Sequence, residues 1–475
     1  MQDVENRTPP PSSPSGAATA PLSFRDGNQD IDPAFVDAVS EAIRAADAPR
    51  LQHLVEDFHE SDLGDLLEAL EPEDRPRLIE LLGPAFDFAA LTEVDDAVRE
   101  EILEELETST VAEGVRELDH DDAVYILEDL DEEDKAEILE QLPPVERVAL
   151  QRALEYPEGS AGRRMQNELI AVPPFWTVGQ TIDFMRETEN LPDTFYEIFV
   201  IDPGGHLLGA VPLDKLLRSK RPVTIQSIMD DDPDRVRATD PQEDAARLFQ
   251  RYNLVSAAVT DEAGRLVGVL MVDDIVDVLD EEADADIKQL GGVNSEEELS
   301  DTVWDIVKSR STWLFVNLCT ALLSASVINA FSGSLQKMVA LAVLMPIVAS
   351  MGGNAGTQTM TVAVRALATR ELGRANAWRI IRREMVVGLL NGAAFALLLA
   401  SVAVLWFGTA NLGPVIGLAI VVTLVSAAFG GIVIPLALSR LGVDPAVSSG
   451  PLVTTITDVV GFFSFLGIAT LWFGL

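Results

Sequence analysis

The chain has 475 residues, with 77 Asp and Glu against 34 Lys and Arg, a formal net charge of −43, and 48% hydrophobic residues. The acid excess and the apolar excess lie apart: residues 1–307 hold 24 basic and 73 acidic side chains, a net −49, and 308–475 hold 10 and 4, a net +6. An acidic first part repels polyanions and a nearly uncharged last third suits lipid, so nucleic-acid binding is excluded and a multidomain membrane protein is expected.

Residues 1–30 begin polar and rich in Pro and Ser, without the apolar core of a secretory signal, and read as a disordered tail. Residues 31–160 are short amphipathic helical patterns with acidic or proline punctuation. LLEALEPEDRPRLIELL (66–82) returns as ILEDLDEEDKAEILEQL (126–142), which predicts an all-α superhelical N domain of stacked helix pairs. EYPEGSAGRRM (155–165) reads as a linker. In residues 161–275, FVIDPGGHLLGAVPLDKLL (199–217) is repeated as AVTDEAGRLVGVLMVDDIV (258–276). Each copy predicts two strands around a tight turn followed by a helix, with an amphipathic helix upstream, so the region is a paired α/β module with a pseudo-dyad. Residues 276–307 then continue as an acidic connecting helix, running at least to Gly292.

The last region, 308–475, contains the uncharged runs 311–336, 338–364 and 385–439, and the run 445–475 with the single charge Asp458. The run 385–439 is long enough for two spans about the turn 407–414, and the first span lies near 312–331, so five spanning helices are expected. Arg365, Arg370, Arg374, Arg379, Arg382 and Arg383 crowd the connection between spans two and three. Their side should be cytoplasmic, which puts the N-terminus inside and the C-terminus outside. Lone Cys319 permits no internal disulfide, and His53, His59, His120 and His206 lack zinc-motif spacing. Only 6 of the basic residues are Lys, and with such acidity a salt-adapted surface is expected, on which a carboxylate cluster is not automatically a site.

Three segments are distinctive together: EEADADIKQLGGV (281–293), PIVASMGGNAGTQT (346–359) and DPAVSSGPLVTTITDVVGFFSF (444–465). With the paired module, which resembles a CBS-domain pair, their order and spacing make residues 35–475 similar to the MgtE family of magnesium channels and transporters. The resemblance implies a homodimer with its ion path along the subunit interface, a cytoplasmic part that senses internal Mg²⁺, and a connecting helix that acts as a plug. This chain has Ala355 where the family's second-span motif often has a polar residue.

Asp458 is the leading site residue. An unpaired carboxylate at mid-membrane costs about 2.5–3.5 kcal/mol on insertion scales, and its own helix offers no Lys or Arg. A cation, water or a proton must compensate. By resemblance Asp458 matches the family's central pore aspartate. Thr454 lies four residues before it on one helical face, and Thr455 and Thr457 add hydroxyls. Gly352, Gly353 and Gly356 suit close helix approach, and Asn354, Thr357 and Gln358 bring polar groups to the same region. Mg²⁺ takes oxygen ligands and sheds water reluctantly, so a carboxylate with neutral oxygens suits a hydrated ion. For the glycines the competing reading is helix packing alone. Asp444 precedes a helix-starting proline and is either an N-terminal helix charge or, by resemblance, a residue facing the plug. Asp273, Asp277 and Glu281 form one acidic stripe, and with Asp274, Glu282 and Asp284 are the expected Mg²⁺ sensor. ATP is a candidate regulator at the module pair, but no phosphate loop for hydrolysis and no catalytic constellation is present, so an enzyme is not expected. Alternatives are a broader divalent carrier for Co²⁺ or Mn²⁺, an exporter of the same architecture, or a membrane-anchored metal or nucleotide sensor.

Overall fold

The computed structural model describes residues 24, 25, 27, 31–128, 130–188, 191–192, 194–295, 297–298, 302–373 and 375–475. The expected tail falls almost wholly outside the described residues, as does Arg374. Two units result, one reaching to Val278 and one from Leu279 to Leu475.

The first unit opens with α1 (Pro33–Arg44), α2 (Ala48–Val55), α3 (Glu60–Ala69), α4 (Arg75–Leu82), α5 (Asp96–Glu105), α6 (Thr108–Val115), α7 (His120–Glu128), α8 (Glu132–Gln141) and α9 (Pro144–Leu154). Asp32 caps α1 by accepting from the Ala34 amide at 2.9 Å, with Pro33 fitting the first helical turn. The repeated sequence corresponds to the α3–α4 and α7–α8 pairs. Their Leu and Ile spacing buries Leu66, Leu78, Ile79, Ile126, Leu127 and Leu139 in one continuous core. Arg99 is fully buried there. Its guanidinium donates to the Val94 carbonyl at 3.2 Å, pairs with Asp96 and lies 4.3 Å from the centre of the Tyr125 ring. The polar head is thus satisfied inside the core, and α7 is pinned through Tyr125.

The α/β part follows as β1 (Ala171–Val172), α10 (Val178–Glu187), β2 (Glu197–Ile201), β3 (Leu207–Pro212) and α11 (Leu213–Arg218). The pattern returns as β4 (Arg235–Arg237), α12 (Gln242–Tyr252), β5 (Ser256–Thr260), β6 (Leu266–Met271) and α13 (Val272–Leu290). Each sheet pairs its first two strands in parallel and its last two antiparallel. The two hairpins share one device. Asp202 accepts from the Gly204 and His206 amides, and Asp261 from those of Ala263 and Arg265. Gly205 and Gly264 take φ of +82° and +81°, which the tight turn requires.

Helix α13 stops at Leu290, short of the expected end of the connecting helix at 307. Gly291 and Gly292 end it, Gly292 at φ +76°, and the Val293 amide turns back to the Lys288 carbonyl. The charged residues Asp305, Lys308 and Arg310 belong instead to the opening turns of α14 (Val303–Ala330). The short α15 (Ser332–Lys337) precedes α16 (Val339–Ala368), α17 (Ala377–Phe407), α18 (Leu412–Arg440) and α19 (Pro445–Phe473). Five of these are long and apolar enough to cross a membrane. In its most apolar stretch α18 is 67% buried and α14 only 6%, so α18 is the bundle's central helix and α14 keeps most of its surface for lipid or another chain.

Candidate functional site

Asp458 lies midway along α19, half-buried, with no hydrogen bond or ion pair among the described residues. The surrounding hydroxyls are turned onto their own helix. Thr457 Oγ1 donates to the Thr454 carbonyl at 2.9 Å, and Thr455 Oγ1 to that of Pro451 at 2.6 Å. Thr454 itself is exposed.

Helix α16 meets α19 through its glycines. A Cβ on Gly356 would come within 2.8 Å of Val453 Cγ1 and 3.1 Å of Thr457 Cγ2, and one on Gly352 within 2.6 Å of Thr423 Cγ2. Both glycines therefore serve close helix approach next to the turn that carries Asp458. Gly353 differs, because a Cβ there would meet nothing within 4 Å. Asn354, Thr357 and Gln358 are exposed in the single chain. The motif thus splits into a packed face and an open polar face. Thr423 Oγ1, deep in the bundle beside Gly352, has no partner among the described residues.

Asp444 is exposed and caps α19, accepting from the Ala446 amide at 2.8 Å. Asp273, Asp277 and Glu281 are exposed along α13, as is Asp284, while Glu282 is half-buried. Asp274 behaves otherwise. It turns inward, and its carboxyl group meets that of Asp121 from α7, side chain to side chain. Asp121 is buried, with one oxygen accepting from Gln166 Nε2 at 3.3 Å and Oδ1 without a partner among the described residues. Two ionised carboxylates cannot hydrogen-bond to each other, so the contact calls for a shared proton or a cation. Burial and the Asp121 charge push Asp274 up to about 10. Burial raises Asp121 as well, and burial with the Asp121 charge lifts neighbouring Asp122 to about 8. Next to them burial lowers His120 to about 4, and its neutral Nε2 accepts from Asn167 Nδ2 at 2.7 Å.

The surrounding chain holds this cluster firmly. The guanidiniums of Arg99 and Arg164 lie 4.3 and 4.8 Å from the centre of the Tyr125 ring, and Arg163 Nη1 donates to Glu128 Oε2 at 3.1 Å. Among the described residues no group of three or more His, Cys, Asp or Glu side chains converges into a metal cage. Mg²⁺ commonly binds through one or two carboxylates and keeps several waters, so the Asp121–Asp274 pair with its orphan oxygen fits such an ion. Of this buried cluster the sequence singled out Asp274, but not Asp121 or Asp122. The run DHDDAV (119–124) was the available signal, and it was indistinguishable from the general acidity of the region.

Comparison with known proteins places the chain in a family. Residues 345–468 match the MgtE family described as divalent cation transporters, 58–159 the MgtE intracellular N domain, and 225–281 a CBS domain. The chain is 36% identical over 417 residues to the magnesium transporter MgtE of Enterococcus faecalis, covering 87% of this chain and 92% of that one. Against the magnesium transporter MgtE of Thermus thermophilus it is 36% identical over 330 residues, 69% and 73% of the two chains. The chain belongs to the MgtE family. A solved cytosolic domain of the Mg²⁺ channel MgtE in complex with ATP, 30% identical, covers 51% of this chain and 99% of that one at a TM-score of 0.47. As an MgtE-family transporter the protein is a multi-pass membrane protein, and both Asp458 and the glycine motif fall inside the transporter match.

Proposed function

We propose that this protein carries Mg²⁺ across the cytoplasmic membrane down its electrochemical gradient, as a channel or channel-like transporter. The observation that carries the reading is Asp458, a carboxylate at the middle of a spanning helix with no partner among the described residues. The named function of its relatives, magnesium transport, supports the choice of ion. A divalent cation gains about 4.6 kcal/mol per 100 mV, twice the single-charge value, so inward flow needs no hydrolysis. Two chains, paired as a homodimer, would present two Asp458 carboxylates to one path, with Gly353, Asn354, Thr357 and Thr454 offering open backbone or exposed polar groups beside it. Gly356 contributes through packing. The exposed, scarcely packed α14 is in keeping with a second chain or lipid against it.

The basic connection between α16 and α17 supports a cytoplasmic N-terminus and an extracellular C-terminus. Exposed Trp304 and Trp378 near helix starts, and Trp406 and Trp472 near helix ends, suit the two membrane interfaces whichever way the helices run. Abundant internal Mg²⁺ closes the path by bridging carboxylates of the acidic soluble part, the Asp121–Asp274 pair first, then the stripe of Asp273, Asp277 and Glu281 with Glu282 and Asp284, and by binding at Asp444 at the start of α19. In this reading residues 31–160 form the N domain, 161–275 the CBS pair and 308–475 the transport domain, and ATP at the CBS pair acts only as a regulator. The activity is transport, with no chemical step.

The test is Mg²⁺ flux into liposomes containing the purified full-length protein. Asp458→Ala and Asp458→Asn should each abolish or steeply reduce flux at equal reconstitution. Undiminished flux in both would remove Asp458 from the ion path. Co²⁺ or Mn²⁺ flux equal to that of Mg²⁺ would favour the broader divalent carrier.

A further inference from the structure

Between α16 and α17, at the end where their connection leaves the membrane, lies a cavity of about 530 Å³. Its apolar wall is formed by Val362, Ala363, Ile380 and Ile432, and Arg379 and Arg383 stand at its polar end. Asn376, Arg379, Ile380 and Arg383 follow one another at three- and four-residue spacing, so a single face of α17 supplies both the wall and the charges. We infer that this cavity holds one anionic phospholipid of the cytoplasmic leaflet, its phosphate between Arg379 and Arg383 and the root of an acyl chain on the apolar wall.

Three observations carry the inference. First, Arg379 is exposed and has no ion pair or hydrogen bond among the described residues, and Arg383 has only Glu384, at 3.7 Å. Second, Arg379 occupies the third position of α17, where the helix dipole is positive and no side chain caps the end. A cation is unfavourable there unless an anion joins it. The Asn376 side chain is committed elsewhere, accepting from the Gly373 amide at 2.8 Å and donating to the Glu371 carbonyl at 2.6 Å. Third, the segment from Arg365 to Glu384 carries more positive than negative charge. Glu371 and Glu384 also line the cavity, but they are set against Arg365, Arg370, Arg379, Arg382 and Arg383 in the same connection. A soluble anion would leave the apolar wall uncovered, whereas a lipid matches both ends of the cavity. Exposed Trp378 beside Arg379 suits the same headgroup depth. The leaflet assignment rests on the orientation proposed above.

The experiment uses full-length protein in detergent, with bound lipid counted by native mass spectrometry while phosphatidylglycerol or phosphatidylcholine is titrated. Phosphatidylglycerol should bind more tightly than phosphatidylcholine. Arg379→Gln combined with Arg383→Gln should weaken phosphatidylglycerol retention about 30-fold, and Lys337→Gln, an exposed cation before the opposite end of α16, should leave it unchanged. Ala363→Trp, which fills the wall while keeping both arginines, should exclude the lipid as well, so a folding defect in the double variant cannot decide the matter. Equal retention of the two lipids, or full retention in both the arginine and tryptophan variants, overturns the proposal. Glycerol phosphate competing as well as the intact lipid also overturns it, in favour of a soluble anion. The outcome is independent of Mg²⁺ flux, so it stands or falls separately from the transport reading.

Discussion

Replacing Asp274 by Asn probes the contact between α7 and α13 with almost no change of shape. In the wild type, burial and the Asp121 charge push the Asp274 carboxyl up to about 10. At pH 7.5 an open chain, whose carboxyl titrates at its ordinary 3.8, has released this proton, so closing the contact costs the wild type up to about 5 kcal/mol. Asparagine removes the charge and supplies an N–H that the unpartnered Asp121 Oδ1 can accept. In EDTA, therefore, the contact should open less readily in Asp274→Asn by up to about 5 kcal/mol. Hydrogen exchange of the α7 amides at His120–Glu128 should slow roughly a hundredfold or more relative to wild type. Mg²⁺ should protect the wild type by a comparable amount, since an ion at a hundred times its dissociation constant contributes about 2.7 kcal/mol. The variant should respond much less, having lost half of the pair. If α7 in the variant exchanges as fast as wild type in EDTA, or Mg²⁺ protects both proteins equally, the pair is not the Mg²⁺-sensitive contact.

Two further outcomes follow. Gly352→Ala and Gly356→Ala should each destabilise the membrane unit by about 1–3 kcal/mol, because their Cβ atoms would meet neighbours at 2.6 and 2.8 Å, while Gly353→Ala, with open space, should leave the melting temperature unchanged. Lost flux in a normally stable Gly353→Ala protein would then report on the ion path rather than on packing. The pH dependence has a definite sign. Asp122 at about 8 and Asp274 at about 10 retain protons that the unfolded chain has released above about pH 4, so both lose stabilising influence as pH rises toward those values. His120 at about 4 refuses a proton that the unfolded chain takes below about 6.5, so its contribution is lost as pH falls through that lower window. From pH 6.5 to 8 only the carboxylates act, and the protection of the α7 amides in EDTA, taken relative to the base-catalysed intrinsic exchange rate, should fall as pH rises. Protection that stays flat or grows across that window would contradict the burial of the pair.

Much of the architecture was legible because it is written locally. A charge-free run of about twenty residues can only be a span or a core, and the five spanning helices follow from such runs with their turns. The two hairpins announce themselves through Asp202-Pro-Gly-Gly and Asp261-Glu-Ala-Gly, where side-chain oxygens and positive-φ glycines settle the turn within four residues. Asp458 was legible by contrast, as one carboxylate in an apolar helix.

Tertiary structure decided what depends on company. Asp274 sits next to a regular acidic stripe in sequence, yet it turns inward, because the register between α7 and α13 sets it against Asp121. Gly352, Gly353 and Gly356 look equivalent as a motif, and only the crossing of α16 with α18 and α19 separates two packing glycines from an open one. Burial is set by what other segments cover. It gives Asp122, one acid among 77, a carboxyl at about 8, while the exposed stripe on α13 meets water. Local sequence determines which helices and turns form, since their hydrogen bonds close within a few residues. Which carboxylates are costly, and so able to respond to an ion, depends on desolvation by distant chain, and that exists only in the folded protein.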